Sequence, residues 1–153
     1  KPGSIEGPQY CLAADCSAKD DSISNFRFNR DYRVDLILWR ELFDGVTDAF
    51  YVKPGAKYEI TEGLGLWANL VYSRAIFGES TPSSHLDGGA LTGDPNLGVE
   101  FDAGVKYESG DGFIAGINYG VLFPLAGLRN NIVDPSLDAE TAHTVRGFFV
   151  IKY

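Results

Sequence analysis

The sequence predicts an all-β protein, an antiparallel up-and-down transmembrane β-barrel of which about six strands are present. Three observations carry that expectation. Residues alternate between apolar and polar along six separate stretches, the period of a strand with two unlike faces. The aligned apolar stripes carry a single charge, Arg30, while the opposite face is crowded with charges. Aromatic residues fall near the ends of the apolar stripes, where a membrane strand meets the headgroups.

Residues 1–24 form an irregular polar segment rich in Gly, Pro, Asp and Ser, and residues 25–153 form the strands. The first expected strand is NFRFNRDYRVDLILWREL. It aligns Phe26, Phe28, Tyr32, Val34, Leu36 and Leu38 against Arg27, Asn29, Asp31, Arg33 and Asp35. FDGVT turns the chain into the second strand, DAFYVKPGAKYEI, with Phe50, Val52, Ala56, Tyr58 and Ile60 opposing Tyr51, Lys53, Lys57 and Glu59. Pro54 inside that run marks a bulge or a weak point. After TEG, the third strand LGLWANLVYS aligns Leu64, Leu66, Ala68, Leu70 and Tyr72. A long loop, GESTPSSHLDGGALTGDPN, leads to the fourth strand, GVEFDAGVKYE, where Val99, Phe101, Ala103, Val105 and Tyr107 oppose Glu100, Asp102, Gly104 and Lys106. SGDG is a tight hairpin signal. The fifth strand, FIAGINYGVLF, is followed by a second long loop and the terminal strand HTVRGFFVIKY.

Alternation does not say which face is inside. A soluble sandwich or barrel buries the apolar face, whereas a transmembrane barrel turns it to lipid and wets the charged face. Four features favour lipid. The girdle aromatics are Tyr32, Phe50, Tyr58, Tyr72, Tyr107 and Phe113, joined by Tyr153. Gly104, Gly116 and Gly120 sit on the charged face, where nothing bulky is needed. From residue 60 onward short and long connections alternate, as periplasmic turns and external loops do. The strands reach the ~9–11 residues that a tilted crossing requires.

Composition narrows the function classes. A net charge of −8 argues against a nucleic-acid partner. No apolar run approaches the ~18 residues of a spanning helix; runs such as LILW are far shorter. Met is absent, which fits a processed chain or a fragment. Cys11 and Cys16 are spaced for a small surface disulfide in an exported protein, with two free thiols as the alternative. Neither His85 nor His143 stands near them with ligand spacing, so no metal and no cofactor is expected.

The chemistry-bearing residues read mostly as loop residues. Ser84, His85 and Asp87 are neighbours in one loop, and a triad needs partners from separate elements. Asp87 and Asp94 match no calcium-loop spacing, and DGGALTGD lacks the Gly-Lys-Ser/Thr of a phosphate loop. His143 reads as an interface residue. No enzyme activity is expected. The charged face is the functional candidate: Arg27, Asp31, Arg33, Asp35, Lys53, Lys57, Glu59, Glu100, Asp102, Lys106, Arg146 and Lys152 are expected to line an aqueous pore. The near-balance of signs predicts weak ion selectivity. In a narrow barrel the same residues would form a sealed network of ion pairs instead.

The final strand resembles the C-terminal assembly signal of bacterial outer-membrane β-barrel proteins, with hydrophobic residues at alternate positions and a terminal aromatic: Val145, Phe149, Ile151 and Tyr153, Gly147 being the weak member. The stretches FRFNRDYRVDLILWRE, VTDAFYVKP and HTVRGFF are similar to the C-terminal region of a myxobacterial family of uncharacterised outer-membrane proteins. The resemblance implies the bacterial outer membrane, a lipid-bilayer partner and recognition by the barrel-assembly machinery, without a substrate or catalytic residues. Six strands fall short of the ~8 with which single-chain barrels begin. The chain is therefore expected to be the C-terminal part of a larger barrel, or one protomer of a barrel shared between chains. With Tyr153 at the periplasmic rim, loops 78–96 and 126–142 face outside, and residues 1–24 lie in the periplasm or the lumen. The functional expectation is a porin-like channel for small solutes or ions. The alternatives are a structural or adhesive barrel with a closed lumen, and a soluble β-barrel binding an apolar ligand.

Overall fold

A computed structural model describes Asn29, residues 32–129 and residues 139–152. Cys11, Cys16, Arg27, Asp31 and Tyr153 lie outside the described residues, as do the segment 1–24 and most of 25–31.

The strands are β1 (Ala49–Val52), β2 (Gly55–Thr61), β3 (Leu64–Ala75), β4 (His85–Asp87), β5 (Ala90–Thr92), β6 (Asn96–Glu108), β7 (Phe113–Pro124) and β8 (Ala142–Ile151). β4 and β5 form a separate hairpin inside the loop that joins β3 to β6. All the others belong to one antiparallel sheet in which β3, β6, β7 and β8 follow one another in space. β1 pairs with the end of β3 that leads into the first long loop, through Ala49↔Ala75 to Val52↔Tyr72. β2 pairs with the other end, through Gly55↔Asn69 to Thr61↔Leu64. They are one edge strand broken at Lys53–Pro54, and the amide of Leu70 bonds the Pro54 carbonyl at 2.9 Å across the break. Pro54 has no N–H to donate, so the edge is where it is tolerated.

The sheet is an up-and-down meander and it is not closed. β8 forms one edge and β1–β2 the other. The two connections at one end are short: two residues between β2 and β3, and Ser109–Gly112 between β6 and β7. Both turn on a glycine with positive φ, Gly63 at 82° and Gly112 at 85°, a region that side chains with a Cβ avoid. The opposite end carries the long connections. There the amide of Ser83 bonds the carbonyl of Gly127 at 3.2 Å, tying one long loop to the other.

The expected first strand is corrected by the structure. Its described part, residues 32–42, is not a strand: it runs irregularly to Ile37 and closes a π-helical turn over Leu38–Leu42. Val34, Asp35, Leu36, Ile37, Leu38 and Trp39 are all buried, so both sides of this run are covered. They pack on the charged face of the sheet, against Val71, Ala75, Leu97 and Leu122, and form the core with Val46. A run of consecutive buried apolar residues has no exposed face to alternate with, which is why a half-buried strand does not fit LILW. Val34, Leu36 and Leu38 therefore lie inside rather than on the apolar outer face. Tyr32 is likewise not on that face: its hydroxyl meets that of Tyr51, an inner-face residue, at 2.6 Å.

Candidate functional site: the inner face of the sheet

The two faces of the sheet have opposite environments: one is left uncovered, and the other is partly covered by the 34–42 segment. The outer face is apolar and exposed: Tyr58 is 69% exposed, Ile117 61%, Val145 71% and Phe149 75%. The inner face holds Glu100 and Asp102, each only 1% exposed.

Glu100 organises the site. Its Oε1 accepts the backbone N–H groups of Leu36 at 2.9 Å and Ile37 at 2.7 Å, and its Oε2 accepts that of Leu38 at 2.9 Å. Three successive amides converging on one carboxylate form an anion-binding concavity, and ionised acceptors make the stronger hydrogen bonds. The contacts join positions more than 60 residues apart, so they dock the 34–42 segment onto β6. Asp35 turns back on its own segment and accepts the Trp39 amide through both oxygens, at 3.0 and 3.2 Å. The Trp39 indole N–H donates to Ser73 Oγ of β3 at 3.0 Å, and its ring lies 5.3 Å from that of Phe43. Cations close the sides. Lys53 Nζ donates to the Val34 carbonyl. Arg146 Nη2 reaches the Leu36 carbonyl at 3.5 Å and pairs with Glu41.

Burial pushes the Asp35 carboxyl up to about 7, and the negative charge of Glu100 pushes in the same direction; the Trp39 and Arg40 amides and Lys53 oppose it. Among the described residues two buried polar atoms, Asp102 Oδ1 and Arg146 Nε, have no hydrogen-bond partner. They flank the docked segment on β6 and β8.

The glycines of this face have a different cause from the one the sequence suggested. Space is not spare there; it is already taken. A Cβ on Gly120 would stand 2.7 Å from Asp102 Oδ1 and 3.1 Å from the Leu36 Cβ. On Gly104 it would strike the Trp67 indole at 2.5–2.6 Å.

At the short-turn end the same face is solvated. Lys106 Nζ pairs with Glu108 at 2.7 Å and Lys152 Nζ with the same carboxylate at 3.5 Å, all more than 40% exposed. Around Glu59, Gly65, Lys106 and Glu108 lies an open polar hollow of about 710 Å³. Lys57 and Glu59 are exposed on β2, and Arg33 is exposed just before the docked segment.

Of the residues expected to line a pore, Asp35, Glu100, Asp102 and Arg146 are thus drawn into the docking site, whereas Lys57, Glu59, Lys106 and Lys152 stay in water. The aromatic girdle residues Phe50, Tyr58, Tyr72, Tyr107 and Phe113 lie on the outer face near strand ends. Phe101 and Tyr119, by contrast, stand in the middle of the outer face, and Tyr119 bonds His143 Nδ1 at 2.7 Å. Val145, Phe149 and Ile151 project from the outer face of β8.

The loop candidates have structural partners. His85 Nδ1 faces the Ser83 carbonyl at 3.2 Å. Asp94 accepts from the Asn96 amide at 2.7 Å and its side-chain nitrogen at 2.9 Å, capping the start of β6. Among the described residues no group of three His, Cys, Asp or Glu side chains could hold a metal ion.

Sequence reasoning missed the docked segment, and with it the roles of Glu100, Trp39 and Ser73. The available signal was LILW, an unbroken apolar run that breaks the alternation of its own stretch. Comparison with protein-family models, with curated proteins and with solved structures finds no match for the chain.

Proposed function

We propose that this chain forms part of the wall of a bacterial outer-membrane β-barrel, a porin-like channel through which small solutes diffuse, with the 34–42 segment folded into the lumen as a constriction. The observation that carries the reading is the uncovered apolar outer face, with Phe149 and Val145 exposed on it while Glu100 and Asp102 are enclosed on the other. In water that arrangement exposes a large apolar surface; in a bilayer it places the apolar face on lipid and the charges in the lumen. Strand length agrees. A strand of 12 residues such as β3 or β7, at ~3.3 Å per residue and a tilt of ~40°, spans about 30 Å, the thickness of the hydrocarbon core.

The open edges at β8 and β1–β2 then call for further strands, from a longer barrel or another protomer, because unpaired backbone groups in lipid cost several kcal/mol each. Val145, Phe149, Ile151 and Tyr153 would present the assembly signal to the barrel-assembly machinery. A soluble barrel with an apolar interior is the weaker reading, since it would have to bury Phe149 and expel Glu100. A structural or adhesive barrel with a closed lumen has one specific support, the docking of the 34–42 segment across the inner face.

Reconstitution of the full barrel into planar bilayers tests the channel, with discrete conductance steps expected. Their absence would leave the closed-lumen barrel. Detergent-dependent solubility and heat-modifiable gel mobility are expected of both membrane readings; a chain monodisperse in plain buffer would overturn both.

A further inference from the structure

The docked segment meets the wall through a set of carboxylates that cannot all be charged at low cost. Asp35 on the segment is 4% exposed and interacts with the Glu100 and Asp102 carboxylates of β6, each 1% exposed. Among the described residues the nearby cations are Lys53 from the β1–β2 break, Arg146 from β8, and Arg40, beside Glu41 and Arg33, on the segment itself. Lys53 and Arg146 are bonded to backbone carbonyls of the segment, and Arg146 also pairs with Glu41. Glu100 must remain an acceptor to hold the three amides. The relief therefore falls to Asp35 and Asp102 together, and of the two only Asp35 has hydrogen bonds that come from the segment and travel with it.

Resting on the reading of the inner face as a lumen, we propose that the 34–42 segment is a proton-operated gate, latched by Glu100 and loosened when Asp35 ionises against Glu100 and Asp102. The direction follows from where Asp35 holds its proton. Docked, it keeps the proton up to about pH 7; released into water, it gives it up near its ordinary value of 3.8. The docked state binds the extra proton between those limits, so docking is strongest below them and weakens as the pH rises through that window, by at most about tenfold per unit. Above it Asp35 itself contributes no further loss. The gate closes with acid and opens towards neutrality and above.

The test uses the full-length protein in detergent micelles. The chain has two tryptophans, so Trp67→Phe leaves Trp39 as the sole reporter. Acrylamide is a neutral quencher, and docked Trp39 is 3% exposed. Between about pH 5 and pH 8 its quenching is expected to rise severalfold. Asp35→Asn, which cannot ionise, is expected to stay weakly quenched throughout, and Glu100→Gln strongly quenched throughout. Quenching that is flat with pH, or a rise that Asp35→Asn reproduces, overturns the gate. Should Glu100→Gln fail to fold, the Asp35→Asn comparison still decides. A pH-dependent rise in a protein with no bilayer conductance keeps the gate and removes the channel, so the two readings fail separately.

Discussion

The two halves of the inner face are built from the same residue types and live in different solvents. At the loop end, Glu100 and Asp102 are sealed beneath the 34–42 segment. At the turn end of the same strand, Lys106 and Glu108 form an exposed ion pair. All four stand at alternate positions of β6 on one face. What separates them is a third layer, the chain folding back over one half and leaving the other open. An enclosed carboxylate has to be satisfied by the protein and is then tightly coupled to it, whereas a solvated pair is screened and contributes little.

The largest effect is expected of Glu100→Ala. It leaves three enclosed amides without an acceptor, and is expected to weaken docking of the segment by about 3–5 kcal/mol. Limited trypsin cleavage at Arg40 would read this, with protection in the wild type and rapid cutting in the variant. Equal protection would mean that Glu100 does not hold the segment.

The outer face of the sheet comes next. Ile117 is 61% exposed on the outer face, and in water Ile117→Arg would change stability by less than about 0.5 kcal/mol. On lipid it is expected to cost about 2–4 kcal/mol, measured as a lower urea midpoint for folding into vesicles. A neutral result would remove the bilayer from the picture.

Gly120→Val probes how closely the layers pack. Its side chain would meet Asp102 and Leu36, and overpacking of this kind costs about 1–3 kcal/mol, expected as raised acrylamide quenching of Trp39. The smallest effect belongs to the solvated half. Lys106→Ala removes an exposed pair and is expected to shift the same urea midpoint by less than about 1 kcal/mol, the shift shrinking further in high salt. A loss comparable to that of Glu100→Ala would show that the turn end is enclosed as well.

How much of this was legible varies by element. β3, β6, β7 and β8 could be read from alternation, because a two-faced sheet imposes a period of two on its sequence. The broken edge strand was visible at Pro54, and the tight turns at Gly63 and Gly112. The docked segment was not, since YRVDL keeps the alternation of a strand up to Leu36 and only LILW departs from it. Glu100 was placed on the correct face, yet nothing in its neighbourhood distinguishes it from Lys106. Its role depends on amides more than 60 positions away.

By itself, then, the sequence determined which residues share a face, where the strands turn and which face is charged, because these follow from backbone geometry acting over a few residues. Only the tertiary structure decided that half of the charged face is roofed by the chain itself, and that Asp35, Glu100 and Asp102 meet there. A contact of that kind is set by the packing of distant segments and the satisfaction of enclosed polar groups. Neither leaves a periodic trace in the sequence.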